Sequence, residues 1–201
     1  SLGVNWLVTL WWLRLAWHIG MRLQRRDEDE RYRTYRLEWR HFFLRSYFQV
    51  FILQGILLFL ISSSIIFINL SVSNIIPLAA WIGWIVWSIW FYCEYRADRE
   101  LRIFRESPEN RGKVLQTGLW KYSRHPNYFW EVTQWWGLWI IATSLPWGLF
   151  TIISPITITI LILFVSGIPL LEKKYEHRGD YEAYKKKTSV FIPLPPRNVK
   201  E

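Results

Sequence analysis

The sequence predicts an all-α, polytopic integral membrane bundle of about five spans with a cytoplasmic C-terminus. Four apolar runs carry the prediction: Tyr47–Leu70, Ile75–Tyr92, Tyr128–Leu145 and Trp147–Leu171. Each approaches the roughly 20 residues that cross ~30 Å of hydrocarbon as a helix. Aromatic side chains crowd the ends of these runs, and the 201-residue chain holds 15 Trp; amphipathic rings favour the membrane boundary. Basic residues fall in three segments of eight each, 22–45, 96–124 and 173–200, and Arg14 is the remaining one of 25.

Taken in order, Val4–Ile19 is shorter and contains Arg14 and His18, so it is a first span or the end of one. At least one further span is expected upstream of Ser1. Residues 24–40 are dense in mixed charge and read as a helix or loop at the surface. Ser62–Ser64 sits inside the second run, where a helix tolerates serine because the hydroxyl can bond back to the backbone. The connections at 70–77 and 142–147 contain no Lys or Arg. Basic loops stay on the cytoplasmic side, so the spans alternate around cytoplasmic segments at about 20–45, 94–127 and 172–201. Pro77 and Pro146 fall at span starts, where a missing N–H is harmless, while Pro155 and Pro169 predict a kink in the last span. Ile192–Pro196 is an extended tail.

The chain lacks an internal repeat, so residues 1–201 form one membrane domain. Its net charge of +9 follows from the topology; with no aromatic–basic recognition module beside it, nucleic acid is not an expected partner. Cys93 is the sole cysteine, and the four histidines lack ligand spacing, so neither a disulfide nor a metal is expected. Membrane lipids and a lipidic small molecule are the expected contacts, and the oligomeric state is left open.

Three polar stripes appear at helical spacing: Arg14, His18 and Arg22; Asp98, Arg102 and Arg105; Asn127, Glu131 and Gln134. Residues so spaced share a helix face. A carboxylate such as Glu131 facing lipid would cost on the order of 2–3 kcal/mol, so it is expected to face the bundle interior. Cationic and amide donors from separate segments suit a phosphate-bearing cofactor. Asp98, Arg105, Asn127 and Glu131 are therefore read together as a ligand site. His125 either donates to a cofactor phosphate or caps the helix that Pro126 opens, and Arg124 adds a cation in both cases. Tyr175, Tyr181 and Tyr184 read as packing or interfacial residues, with Tyr184 the one candidate for cofactor contact.

Three motifs carry a family resemblance: GLWKYSRHPNYFWEVTQWWG at 118–137, Asp98 with Arg105, and the tail Tyr181, Tyr184, Thr188, Phe191, Ile192 and Pro193. They resemble bacterial membrane proteins of the DUF1295 group, related to steroid 5-alpha-reductases and, further off, to sterol C14-reductases and isoprenylcysteine methyltransferases. The resemblance covers Trp6 to Pro196. It implies NADPH binding in a cavity open to the cytoplasm, with Asp98, Arg105, Asn127 and Glu131 at cofactor-contacting positions. Lys113 falls where the reductases have arginine. Arg124, His125, Tyr128 and Tyr184 complete the implied cofactor set, and Arg14 and His18 are weaker substrate candidates. The implied chemistry is hydride delivery to the β-carbon of an enone. The family's glutamine–glutamate pair would fall upstream of Ser1, its tyrosine finds no match because no Tyr precedes Tyr32, and the catalytic residues stay unassigned.

The expected function is an NADPH-dependent reductase of an activated C=C bond in a steroid-like or other lipid, in the bacterial inner membrane with its cofactor side cytoplasmic. The alternative enzyme is an S-adenosylmethionine-dependent methyltransferase, which Arg124-His125-Pro126 and Glu172 also suit. A non-enzymatic lipid-binding protein is the third reading.

Overall fold

A computed structural model describes residues 2–23, 30–71 and 78–198. Pro77, most of the 70–77 connection, the expected upstream span and the side chains of His18 and Arg22 lie outside the described residues.

The described residues form α1 (Leu2–Leu23), α2 (Glu30–Glu38) and α3 (Phe42–Ser46), which continues through a π-helical stretch, Tyr47–Ile52, into α4 (Leu53–Leu70). Then follow α5 (Leu78–Glu106), α6 (Pro126–Thr143), α7 (Ile153–Ile160), α8 (Ile168–Tyr175) and α9 (Gly179–Lys187). Among the described residues there is no strand, only an isolated parallel bridge between Ser123 and Ser189. The fold is all-helical, as the sequence predicts.

Two helical stretches, Phe42–Leu70 and Gly148–Lys173, are long and apolar enough to cross a membrane. Their most apolar windows are only 11% and 28% buried, the reverse of a soluble core helix, and this exposure suits contact with lipid. Of the five expected spans, these two meet the criteria of length and apolarity. Elsewhere polar residues interrupt the runs, as Arg14 does in α1 and the charged end does in α5.

The third run does not stop at Tyr92. It continues unbroken as α5 to Glu106, so the first part of the segment expected to be a surface connection is helix. No Gly or Pro intervenes before Ser107–Pro108, and the i,i+4 pair Arg96–Glu100 (3.4 Å) supports the helical register. The last run breaks more than expected. A π-helical stretch, Leu161–Val165, ends at Ser166–Gly167 before α8 begins. The break falls at Gly167, where a Cβ would lie 2.5 Å from the Ile162 carbonyl oxygen. Pro155 sits in the first turn of α7 and Pro169 in that of α8, where each is tolerated.

The packing centre is the seam between α5 and α6, the most extensive helix pair. Ala80, Trp87, Trp135, Leu138, Ile141 and Ala142 are buried there, and Val4 of α1 and Ile68 of α4 close the cluster. Gly83 and Gly137 bring the two backbones together: a Cβ on Gly83 would stand 2.4 Å from Ile141 Cγ1 and 3.0 Å from the Gly137 carbonyl. Small residues at a crossing are how helices pack when lipid removes the hydrophobic drive between them. The contact of α4 with α7 and the turn before it uses hydrogen bonds instead, with Ser64 donating to Thr151 of that turn (3.1 Å to its hydroxyl) and Ser154 of α7 to the Ile61 carbonyl. Helix α1 joins through its side chains: Val4 enters the buried cluster, Trp11 meets Trp135 edge-on at 5.7 Å, and Arg14 pairs with Glu94 and Asp98.

Gly83→Leu should therefore force α5 and α6 apart and lower the thermal midpoint in mild detergent. Overpacking of this kind costs about 1–3 kcal/mol. Gly55→Leu, on α4 with open space around it, should leave the midpoint unchanged.

Candidate functional site

The polar residues predicted to act together sort into two neighbouring places along the α5–α6 seam. The outer one is a cavity of about 240 Å³ between the end of α5, the 110–115 loop, the 120–127 strap and helices α8 and α9. The strap is fixed on both sides. Toward α5, Trp120 Nε1 donates to the Ala97 carbonyl (3.2 Å), and Glu100 accepts from the Leu119 N–H (2.9 Å). Gly118 makes that approach possible: its φ is +60° and a Cβ would lie 2.4 Å from Glu100 Oε2. Toward the tail, Ser123 Oγ donates to the Phe191 carbonyl (2.8 Å) and Arg124 N–H to the Ser189 carbonyl (2.8 Å). The Tyr184 hydroxyl donates to the Trp120 carbonyl.

Glu172 ties strap and tail together. Arg124 donates to both its oxygens, from Nε at 3.0 Å and from a terminal nitrogen at 3.3 Å. His125 Nε2 lies 2.8 Å from Glu172 Oε1, and the Tyr181 hydroxyl donates to the same oxygen at 2.7 Å. His125 is buried, makes no side-chain cap on α6, and stacks on Tyr128 with ring planes 15° apart. Of the two roles expected for it, capping is thus not the one seen; its ring lines the cavity. Burial pushes the Tyr181 and Tyr184 hydroxyls above their ordinary value, with the Glu172 hydrogen bond adding to the shift at Tyr181. Both stay protonated donors past pH about 10.

Of the nine predicted cofactor residues, Arg105, Lys113, Arg124, His125, Asn127 and Tyr184 line this cavity. Arg111 and Arg178, which sequence reasoning passed over, line it too. No carboxylate does. Arg178 is held by Asp180 (2.6 Å) and donates to the Gly112 carbonyl. The side chains of Arg105, Arg111 and Lys113 make no hydrogen bond or ion pair with a described residue. Cations of one sign around a concavity favour an anion.

Asp98 and Glu131 do not line the cavity. Asp98 belongs to a second, inner cluster, where Arg14 reaches across from α1 and donates to Asp98 Oδ2 (2.8 Å) and to Glu94. Arg14, a weak substrate candidate in the sequence, is here an ion-pair partner on α5. With its amide oriented to satisfy both neighbours, Gln134 donates to Glu94 Oε2 (3.1 Å) and accepts from Trp87 Nε1 (3.1 Å). Glu131, one turn along α6 from Asn127, completes the group electrostatically and makes no hydrogen bond to a described residue. Glu94 was not predicted. It lies one turn before Asp98 on the same face, so extending the Asp98–Arg105 stripe backward by one turn would have found it.

Removing the Glu172 carboxylate should leave Arg124 and His125 facing each other without a counter-charge. Glu172→Ala should lower stability in mild detergent by on the order of 2 kcal/mol, less than for a fully buried pair because the site is partly open. Glu172→Ala combined with Arg124→Ala should cost less than the sum of the two single changes, which a double-mutant cycle on thermal midpoints measures.

No curated protein and no solved structure matches this chain. Over residues 1–188 the chain matches DUF1295, a family of proteins of unknown function, and it belongs to that family.

Proposed function

We propose that the chain is an NADPH-dependent membrane reductase of an activated C=C bond in a steroid-like or other lipid. In this reading it is a polytopic protein of about five spans in the bacterial inner membrane, with the cavity and the C-terminus on the cytoplasmic side. The observation that supports it best is the lining of the outer cavity. Arg105, Arg111 and Lys113 have no hydrogen-bond or ion-pair partner among the described residues, and Arg124 and Arg178 line the same cavity with their charges balanced by Glu172 and Asp180. A phosphate-bearing dinucleotide matches that field. Residues of this chain would hold it as follows: the three partnerless cations face the phosphates, Asn127 offers an amide for ribose or base, and Tyr184 and Tyr181 close the floor through the strap. A bound reduced nicotinamide would supply hydride to the β-carbon of an enone. The role of the chain is to orient that group along the α5–α6 seam and keep water from it.

The methyltransferase reading keeps one specific observation in its favour, the closed Arg124–His125–Glu172 unit. S-adenosylmethionine carries a sulfonium and an ammonium against one carboxylate, so its net positive charge opposes a lining with three cations left unpaired among the described residues.

The test is thermal stabilisation of the chain purified in mild detergent. NADPH should raise the midpoint, S-adenosylmethionine should not, and the NADPH effect should shrink steeply with added salt. Arg105→Ala and Lys113→Ala should each weaken NADPH binding about tenfold or more, since a charge-assisted phosphate contact contributes roughly 1.5–3 kcal/mol. Stabilisation by S-adenosylmethionine alone would sink the reductase reading.

A further inference from the structure

The chain after α9 is extended and has two unlike faces. Alternate residues of an extended chain point to opposite sides, and from Ser189 to Leu194 exposure alternates in that way. Phe191, on the inner face, packs edge-on against Phe129 with ring centres 5.4 Å apart. Val190, Ile192 and Leu194, on the outer face, are exposed, Ile192 at 55%. Bonds to the strap hold this register: Ser123 Oγ donates to the Phe191 carbonyl, Arg124 N–H to the Ser189 carbonyl, and Leu194 N–H to the Tyr122 carbonyl (3.0 Å). Tyr122 is itself exposed and extends the apolar row. Four cations rim it. Lys121 adjoins Tyr122, Lys186 and Lys187 end α9, and the Arg197 N–H bonds the Lys187 carbonyl (2.8 Å). All four are exposed, and none of their side chains makes a hydrogen bond or ion pair with a described residue. The acidic residues of α9, Asp180 and Glu182, are paired with Arg178 and Lys185.

Glu172 sets the height of this face. The apolar stretch Gly148–Lys173 ends just past it, and Glu172 holds both Arg124 of the strap and Tyr181 of α9. Strap, α9 and tail therefore stand where that stretch leaves the hydrocarbon, at the level of the lipid headgroups.

We propose that the face formed by Val190, Ile192 and Leu194 lies on the membrane surface and binds anionic phospholipid. Its apolar side chains enter the acyl boundary, while Lys121, Lys186, Lys187 and Arg197 meet the headgroup phosphates. This is independent of what the outer cavity holds. An apolar row rimmed by cations is the pattern of an interfacial segment, and cations with no protein partner favour an anionic over a zwitterionic leaflet. The tail's own chemistry disfavours a protein adding to it as a strand, because Pro193, Pro195 and Pro196 offer no N–H. Attachment here also braces the site: the strap that walls the outer cavity is held between α5 on one side and a membrane-bound tail on the other.

The test uses the whole chain with an NBD fluorophore at Ile192→Cys, the native thiol being removed by Cys93→Ser. It is placed in nanodiscs of phosphatidylcholine alone, or of equal parts phosphatidylcholine and phosphatidylglycerol. In the mixed bilayer the emission should be blue-shifted and quenched by a lipid spin-labelled high on its acyl chain. Quenching should be lower by about twofold or more in phosphatidylcholine alone, and added salt should weaken it. Combining Lys121→Gln, Lys186→Gln, Lys187→Gln and Arg197→Gln should bring the mixed bilayer down to the phosphatidylcholine level. Leu194→Cys, labelled in the same way, carries the test if Ile192→Cys does not fold. Equal quenching in the two bilayers, or a phosphatidylglycerol preference that survives loss of the four cations, overturns the proposal. So does a blue shift without lipid quenching, the mark of a second copy or another protein covering the face, and so does unshifted emission in both bilayers.

Discussion

The arrangement around the cavity depends on one carboxylate. Glu172 stands at the end of the last apolar stretch and accepts hydrogen bonds from Arg124, His125 and Tyr181, residues that precede and follow it in the chain by up to 48 positions. Without it the strap would carry two cation-capable side chains with nothing to face, in surroundings where an unpaired charge is costly. With it, strap, α8 and α9 become one unit, and the walls of the cavity are set by that unit and the end of α5. Among the described residues Arg105, Arg111 and Lys113 are left without ion-pair partners, while Glu172 is engaged with Arg124, Asp180 with Arg178 and Glu100 with the strap backbone.

The same logic divides the seam into two electrostatic districts. The outer one is cationic and open. The inner one inverts the sign, with Glu94, Asp98 and Glu131 gathered round a single guanidinium from α1. Opposite fields in sequence along one helix pair orient any elongated ligand that carries its charge at one end. Small residues at the Gly83–Gly137 crossing let the two helices approach closely enough for this, so packing and electrostatics are parts of one device.

Helix content, the basic segments and the placement of Pro126 at the start of α6 were legible in the sequence, because periodicity, charge and proline geometry are local properties. Six of nine predicted cofactor residues line one cavity, and the motif at 118–137 brings three of them, Arg124, His125 and Asn127, along a short stretch. What could not be read was which stripe faces which. Asp98 and Arg105 share a helix face, yet Asp98 turns inward to Arg14 while Arg105 opens to the cavity, a division set by the position of α1, 84 residues away in sequence. Tyr181 looked like packing because its partner, Glu172, is placed only once the last apolar run breaks at Gly167 and α8 begins. Arg111 and Arg178 flank the cavity from loops, where spacing says nothing about convergence.

The unbroken course of α5 has one more consequence. A rigid rod that carries Arg105 near one end and Glu94 roughly 16 Å back along its axis is a ruler. It makes the separation between the two fields a condition of fit, independent of the strength of either. One helical turn inserted between them would keep both on their helix face yet move them about 5.4 Å further apart, without touching a side chain in either.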